Sequence, residues 1–257
     1  MKHTRRTWVG AALLCLLAPS ACGDADGAPP GLRTEVLATH PHDPAAFTQG
    51  LEIDGDVLYE GTGMVGRSGV RATARTDGAE LARAEVPPPY FGEGVTRAGD
   101  TVWQITWQEG VAFARDPRTL AEKHRVRYDG EGWGLCARNG RLVMSDGSAT
   151  LTFRDPVTFA PTGSVTLTDR TDARLNELDC AADGSVYANA WPTDEILRID
   201  PDSGRVLAVI DASGLLTPAQ RAGTDVLNGI AAIPGTDRFL ITGKYWPSMF
   251  EVRFVPA

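Results

Sequence analysis

Histidine and cysteine are scarce in this chain of 257 residues, four of each. That leaves little from which to build a metal site. His40 and His42 flank a proline without a third ligand in sequence reach, and metal centres ordinarily need three or four. No G-x-S-x-G elbow, phosphate-binding glycine loop, C-x-x-C or H-E-x-x-H is present, and Ser145–Asp146 lacks an apparent histidine partner. Positive charge is also in deficit. Net charge is −8, which argues against nucleic acid or an anionic membrane surface as a partner. No apolar run is long enough to span a bilayer: the longest, WVGAALLCLLA, has 11 residues where about 20 are needed.

That short run follows the basic segment MKHTRR and precedes PSAC, the order of an export signal. Residues 1–22 are therefore expected to be removed, and with them three positive charges, leaving −11 from −8. Cys22 follows a small residue, so two outcomes stand open, simple cleavage or lipid attachment at Cys22. The latter would be the only membrane association expected. Residues 23–32 (GDADGAPPGL) form a tether without core-forming side chains. Residues 33–257 are expected to form one domain, acting as a monomer in the periplasm or outside the cell. Only Cys136 and Cys180 lie within it. Two buried thiols are the expected state, with a disulfide as the alternative.

What the chain has in abundance is a repeated unit. The segments FTQGLEI, FGEGVTR, EGWGLCA, LNELDCA and VLNGIAA are each followed by a turn and an apolar strand: DGDVLYE, AGDTVWQ, NGRLVMS, DGSVYAN and TDRFLIT. The aligned positions Gly50, Gly94, Gly134, Leu178 and Gly229 lie 44, 40, 44 and 51 residues apart. A period of 40–50 residues carrying several strands predicts an all-β, five-bladed β-propeller with four antiparallel strands per blade. The fifth unit has one strand too few, and Leu32–Thr39 is the expected donor, closing the last blade and removing an open edge. GLLTPAQRAG is a surface insertion or a lid, with a helix start at Thr217–Pro218.

In such a repeat, residues just before the first strand and just after the second gather at one end. Those positions hold Gln49, Glu93, Trp133, Glu177 and Asn228, and Gly63, Trp107, Gly147, Trp191 and Lys244. A purely structural repeat would place similar residues at equivalent points. These differ sharply and are rich in Trp, amide and charge, which predicts an asymmetric site on a symmetric scaffold.

The segments FTQGL, FGEGVT with ITW, EGWGL, LNEL, YANAW, DVLNGI and ITGKYWP resemble, in order and spacing over residues 35–255, the motifs of plant- and bacterial-type glutaminyl-peptide cyclotransferases. The resemblance implies a five-bladed propeller that converts an N-terminal glutamine of a peptide or protein to pyroglutamate with release of ammonia, without a metal or other cofactor. It makes Glu93 the proton-transfer residue and Asn176 and Lys244 polar groups acting on the substrate. Gln49 and Glu60 join them, with Phe47, Trp107, Trp133 and Trp191 as walls. Glu60 and Glu177 are rivals to Glu93 for proton transfer. Lys244, the Asn176 amide or a Trp indole N–H is the expected donor to a developing oxyanion. Trp103 and Trp246 are expected in the core. Two other functions stay open: a non-catalytic propeller binding ligands or proteins at the same face, and a metal-dependent, lactonase-like hydrolase.

Overall fold

The computed structural model describes Met1 and residues 27–257. Residues 2–22 of the expected export signal, Cys22 among them, lie outside the described residues. The described residues are all-β apart from one four-residue helix. β1 (Gly31–Pro41) is followed by a four-stranded antiparallel sheet of β2 (Thr48–Asp54), β3 (Val57–Thr62), β4 (Gly69–Ala74) and β5 (Glu80–Glu85). A second such sheet contains β6 (Gly92–Ala98), β7 (Thr101–Thr106), β8 (Val111–Arg115) and β9 (Glu122–Arg127). A third contains β10 (Leu135–Arg138), β11 (Arg141–Ser145), β12 (Thr150–Arg154) and β13 (Pro161–Thr166).

Next come β14 (Leu175–Cys180), β15 (Val186–Ala190), β16 (Glu195–Ile199) and β17 (Val206–Asp211). Helix α1 (Pro218–Arg221) precedes β18 (Leu227–Ala232), β19 (Arg238–Gly243) and β20 (Ser248–Pro256). These strands and β1 form one eight-stranded sheet in the order β14-β15-β16-β17-β1-β20-β19-β18. β1 lies antiparallel to β20 along most of its length and parallel to β17 over Gly31–Arg33. The strand ahead of the repeats thus occupies the place that the short fifth repeat leaves vacant.

The aligned glycines have a physical reason. A Cβ on Gly50 would stand 2.5 Å from the Val95 nitrogen, one on Gly94 2.6 Å from the Leu135 nitrogen, and one on Gly134 2.2 Å from the Asn176 oxygen. The first strands of successive units touch backbone to backbone, and only a residue without a side chain fits there. β2, β6, β10, β14 and β18 contact one another in turn, and β18 returns to β2.

The core lies between successive sheets. Tyr59, Val70, Val95 and Val102 fill the first gap, Trp103, Tyr128, Leu135 and Phe159 the next, and Leu151, Leu175, Leu178 and Val186 the third. Tyr187, Ile196, Ile230 and Phe239 pack between the two halves of the eight-stranded sheet, and Leu51, Ile53, Ala231 and Leu240 bring its β18–β19 end against the first sheet. Trp103 and Trp246 are both fully buried, in the core as expected.

One expectation is corrected. Cys136 on β10 and Cys180 on β14 are joined as a disulfide, with Cα atoms 5.4 Å apart. The close approach of the two strands at Gly134 brings these equivalent positions within bonding reach, which the spacing along the chain did not reveal. The insertion before the fifth repeat holds only α1, capped by Thr217, whose hydroxyl accepts from the Gln220 backbone N–H; no residue of α1 is buried, while Leu216 ahead of it packs into the core.

Candidate active site

Four of the five first strands begin irregularly. Pairing registers shift between Thr48 and Gly50, Gly92 and Val95, Leu175 and Leu178, and Leu227 and Ile230. Such bulges re-aim side chains at a strand end, and here they turn Gln49, Glu93 and Asn176 into a common cavity. The cavity is about 330 Å³ in volume, lined by Phe47, Gln49, Phe91, Glu93, Trp107, Trp133, Asn176, Trp191, Asp225, Val226 and Lys244. Eight of the nine side chains singled out in the sequence meet there; Phe91, Asp225 and Val226 are additions. Phe91 was discoverable, because it precedes Gly94 by three residues as Phe47 precedes Gly50.

Glu93 is buried in this wall. Its Oε1 accepts a hydrogen bond from Gln49 Nε2 at 2.8 Å, and Gln49 Oε1 accepts in turn from Asn228 Nδ2 at 3.0 Å. Asn228 Nδ2 is also fixed by the Thr48 carbonyl at 2.9 Å. The amide chain therefore has a fixed sense and leaves Glu93 Oε1 as an acceptor. Glu93 Oε2 is buried without a hydrogen-bond partner among the described residues. Burial pushes the carboxyl well above the usual carboxylate range; Lys244 pulls it back, and the charges of Glu109 and Glu131 push it further up. Lys244 follows β19 and is itself mostly buried. Its Nζ lies 4.7 Å from the centre of the Phe47 ring. Burial lowers its pKa, while Glu93 and Asp225 oppose the loss of its proton.

The aromatic walls interlock. Phe91 packs edge-on against Phe47 and Trp107, with ring centres 6.1 and 5.7 Å apart. Trp133 and Trp191 meet at 6.0 Å and 90°. The indole N–H groups of Trp107 and Trp133 are both committed to Glu131 Oε2, at 2.8 and 2.9 Å. Among the expected oxyanion donors, these two indoles thus have their N–H groups engaged by a carboxylate outside the cavity lining.

Glu60 lies elsewhere. Its side chain is 2% exposed and is held by His42 Nε2 at 2.9 Å, Thr48 Oγ1 at 2.8 Å and Arg71 Nε at 2.7 Å. Burial alone would raise its pKa, but the hydrogen bond and charge of His42, with Arg71 and Thr48, bring it down to about 2. His42 Nδ1 reaches the Trp246 carbonyl at 2.6 Å, so the group ties the ends of β1, β2 and β19 together behind the cavity. His40 faces Glu251 instead, 3.8 Å away, and the two histidines do not share a site. Among the described residues no group of three or more His, Cys, Asp or Glu is arranged to hold a metal ion. Glu177, the other rival, spends both carboxylate oxygens on the backbone N–H groups of Leu51 and Ile230, at 3.1 and 2.7 Å.

Because Glu60 is ionised at far lower pH in the fold than its ordinary 4.5, the stability it confers is present above pH 4.5 and is lost as pH falls toward 2. Glu60→Gln should lower stability at pH 7 by about 2 kcal/mol and flatten that acid loss. Urea unfolding at pH 7 and pH 3 measures both.

The cavity thus holds a buried carboxyl with one oxygen engaged and the other unpartnered among the described residues, near a lysine and ringed by aromatic side chains, on an all-β scaffold. The comparisons place that scaffold in a class of enzymes. The family model for glutamine cyclotransferase matches residues 9–254. A curated relative from Arabidopsis thaliana, described as glutaminyl-peptide cyclotransferase, is 39% identical over 234 residues, spanning 87% of this chain and 72% of its own length. The crystal structure of Myxococcus xanthus glutaminyl cyclase superposes with a TM-score of 0.79 at 37% identity, covering 90% of this chain and 100% of that one. The chain belongs to the glutamine cyclotransferase family.

Proposed function

We propose that this protein converts the N-terminal glutamine of peptides or proteins to pyroglutamate with release of ammonia, using Glu93 as its proton shuttle. The observation that carries the mechanism is the split environment of the Glu93 carboxyl: Oε1 engaged by Gln49, Oε2 unpartnered among the described residues.

In the reaction the substrate's α-amine attacks its own side-chain carboxamide carbon. The five-membered ring closes to a tetrahedral intermediate, and the C–N bond to the departing nitrogen then breaks. Because nucleophile and electrophile share one residue, little translational entropy remains for the enzyme to remove. What remains is proton movement and charge. The α-amine, with an ordinary pKa near ~8, must be neutral to attack, and the leaving nitrogen departs as ammonia only after gaining a proton. Glu93 Oε2 takes the proton from the amine and returns it to the leaving nitrogen, so the carboxyl ends in its starting state. A raised pKa suits both halves of that transfer. Lys244 and the Asn176 amide supply donors to the oxygen of the tetrahedral intermediate. Phe47, Phe91, Trp107, Trp133 and Trp191 form an apolar sleeve around the glutamine side chain.

An ammonia-release assay on a Gln-initiated dipeptide tests the activity directly, with the matching Asn-initiated peptide as control. No ammonia from the first would sink the reading. Lys244→Met should lower kcat about 100-fold, the usual cost of losing one oxyanion donor, and raise the pH limb governed by Glu93, since the lysine charge opposes its protonation.

The scaffold is read as a single five-bladed propeller over residues 33–257, closed by β1. The ring of contacts among β2, β6, β10, β14 and β18, and the core clusters in all five gaps, support that count. Export, with or without a lipid on Cys22, is proposed from the N-terminal sequence. The Cys136–Cys180 disulfide fits an oxidising compartment.

A further inference from the structure

Glu131 stands behind the aromatic walls, in the short loop that leads into β10. Its Oε2 accepts from the indole Nε1 of Trp107 at 2.8 Å and of Trp133 at 2.9 Å, while Oε1 accepts from Gln108 Nε2 at 3.0 Å. Trp107 follows β7 and Trp133 precedes β10, so one carboxylate joins walls from two different sheets. We propose that Glu131 is a positioning residue for the cyclisation, a strap that sets the tilt of both indoles against the glutamine side chain. The proposal rests on the cyclotransferase reading of the cavity.

The chemistry of indole explains why such a strap is needed. An indole nitrogen is a donor only, and a half-buried one takes whatever acceptor lies within reach. Without Glu131 the two indole N–H groups are left to seek other acceptors, and both rings line the same cavity as Glu93. An anionic acceptor outside the cavity holds both N–H groups away through charge-assisted bonds, stronger than neutral ones. The Trp133 bond is the largest of the influences holding Glu131 below the ordinary carboxylate range, and those from Gln108 and Trp107 and the charge of Arg174 add to it. Arg174 also lies over the Trp191 ring at 4.1 Å and the Trp133 ring at 5.2 Å, which backs the same walls with a cation.

The loop does not depend on this carboxylate for its path. The Gly132 N–H donates to the Trp107 carbonyl at 2.8 Å, the Trp133 N–H to the Ser145 carbonyl at 3.0 Å, and the Trp133 carbonyl accepts from the Gly94 N–H at 2.9 Å. Removing the side chain therefore releases the rings and leaves the backbone held. Glu131 acts on Glu93 as well: its fixed charge, with that of Glu109, works against Lys244, and Tyr128 is the remaining titratable group that senses Glu93.

The experiment compares wild type, Glu131→Ala and Glu131→Gln by steady-state ammonia release across pH and by near-UV circular dichroism. Glu131→Ala should raise KM about tenfold, roughly the worth of a hydrogen bond to a charged group, with a smaller fall in kcat and a weakened tryptophan signal. Glu131→Gln keeps an acceptor oxygen but not the charge. It should recover most of the KM and the near-UV signal while the pH limb governed by Glu93 moves to lower pH. Wild-type KM and near-UV spectrum in Glu131→Ala overturn the proposal, as does a raised KM with an unchanged spectrum. If Glu131→Ala does not fold, an unmoved pH limb in Glu131→Gln overturns it. Wild-type protein that releases no ammonia would instead refute the cyclotransferase reading, while the spectrum of Glu131→Ala still reports on the strap.

Discussion

Glu93→Gln should lower kcat by about 10²–10⁴, the range typical of a lost general acid–base group, and leave the fold intact. The amide is nearly isosteric and can still accept from Gln49 Nε2, so the chain Asn228–Gln49–residue 93 survives. What disappears is the capacity to carry a proton. The same substitution should not destabilise the protein at alkaline pH, and the sign follows from linkage. The buried Glu93 holds its proton to higher pH than an unfolded chain does, so wild type loses stability as pH rises above the ordinary 4.5 toward the raised value. A glutamine has no such loss. Single-turnover ammonia release, with urea unfolding at pH 5 and pH 8, measures both halves. Near-wild-type turnover would remove Glu93 from the chemistry, whatever the stability curves show.

The second large effect concerns the covalent link. Cys136 and Cys180 close a loop of 44 residues. Constraining a loop of that length in the unfolded chain is worth about 4 kcal/mol in the chain-entropy account. The double variant Cys136→Ser/Cys180→Ser should unfold at a temperature lower by roughly 10 °C, given the usual sensitivity of a domain this size. Turnover at 25 °C should change far less, because, besides the link, the Trp133 backbone is held by Ser145 and Gly94, and the Asn176 carbonyl accepts from the Ser145 hydroxyl. Thermal scans with and without reductant check the first point: reductant should lower the wild-type midpoint and leave the double variant unmoved. An equal midpoint in wild type and variant would mean that the link adds nothing.

The repeat was legible because its cause is local. Glycine recurs where first strands touch, a turn follows, and an apolar strand comes after, so the pattern is printed at nearly fixed spacing. Most of the cavity was legible for the opposite reason: equivalent positions that ought to look alike carry Gln49, Glu93, Trp133 and Lys244. Glu60 lies beyond the cavity lining, which could not be read ahead because strand position alone does not say what a carboxylate meets. It lies opposite Arg71 in the β3–β4 pairing and beneath His42 from the end of β1, and no periodicity couples these three. The disulfide was half visible, as two cysteines at the same offset; what sequence could not supply was how closely β10 and β14 approach. Glu131 went unnoticed although it stands two residues before Trp133, because the sequence places no second indole beside it.

The course of β1 has a practical consequence. It starts at Gly31, whose carbonyl accepts from the N–H of Ala257, and ends at Pro41 opposite Ser248, four residues after the cavity residue Lys244. Its 11 residues at about 3.4 Å each separate the two points by roughly 35 Å. Whatever is joined ahead of Gly31, a fusion partner or a resin, leaves the fold where β1 enters between β17 and β20 and not at the Pro41 end of the strand.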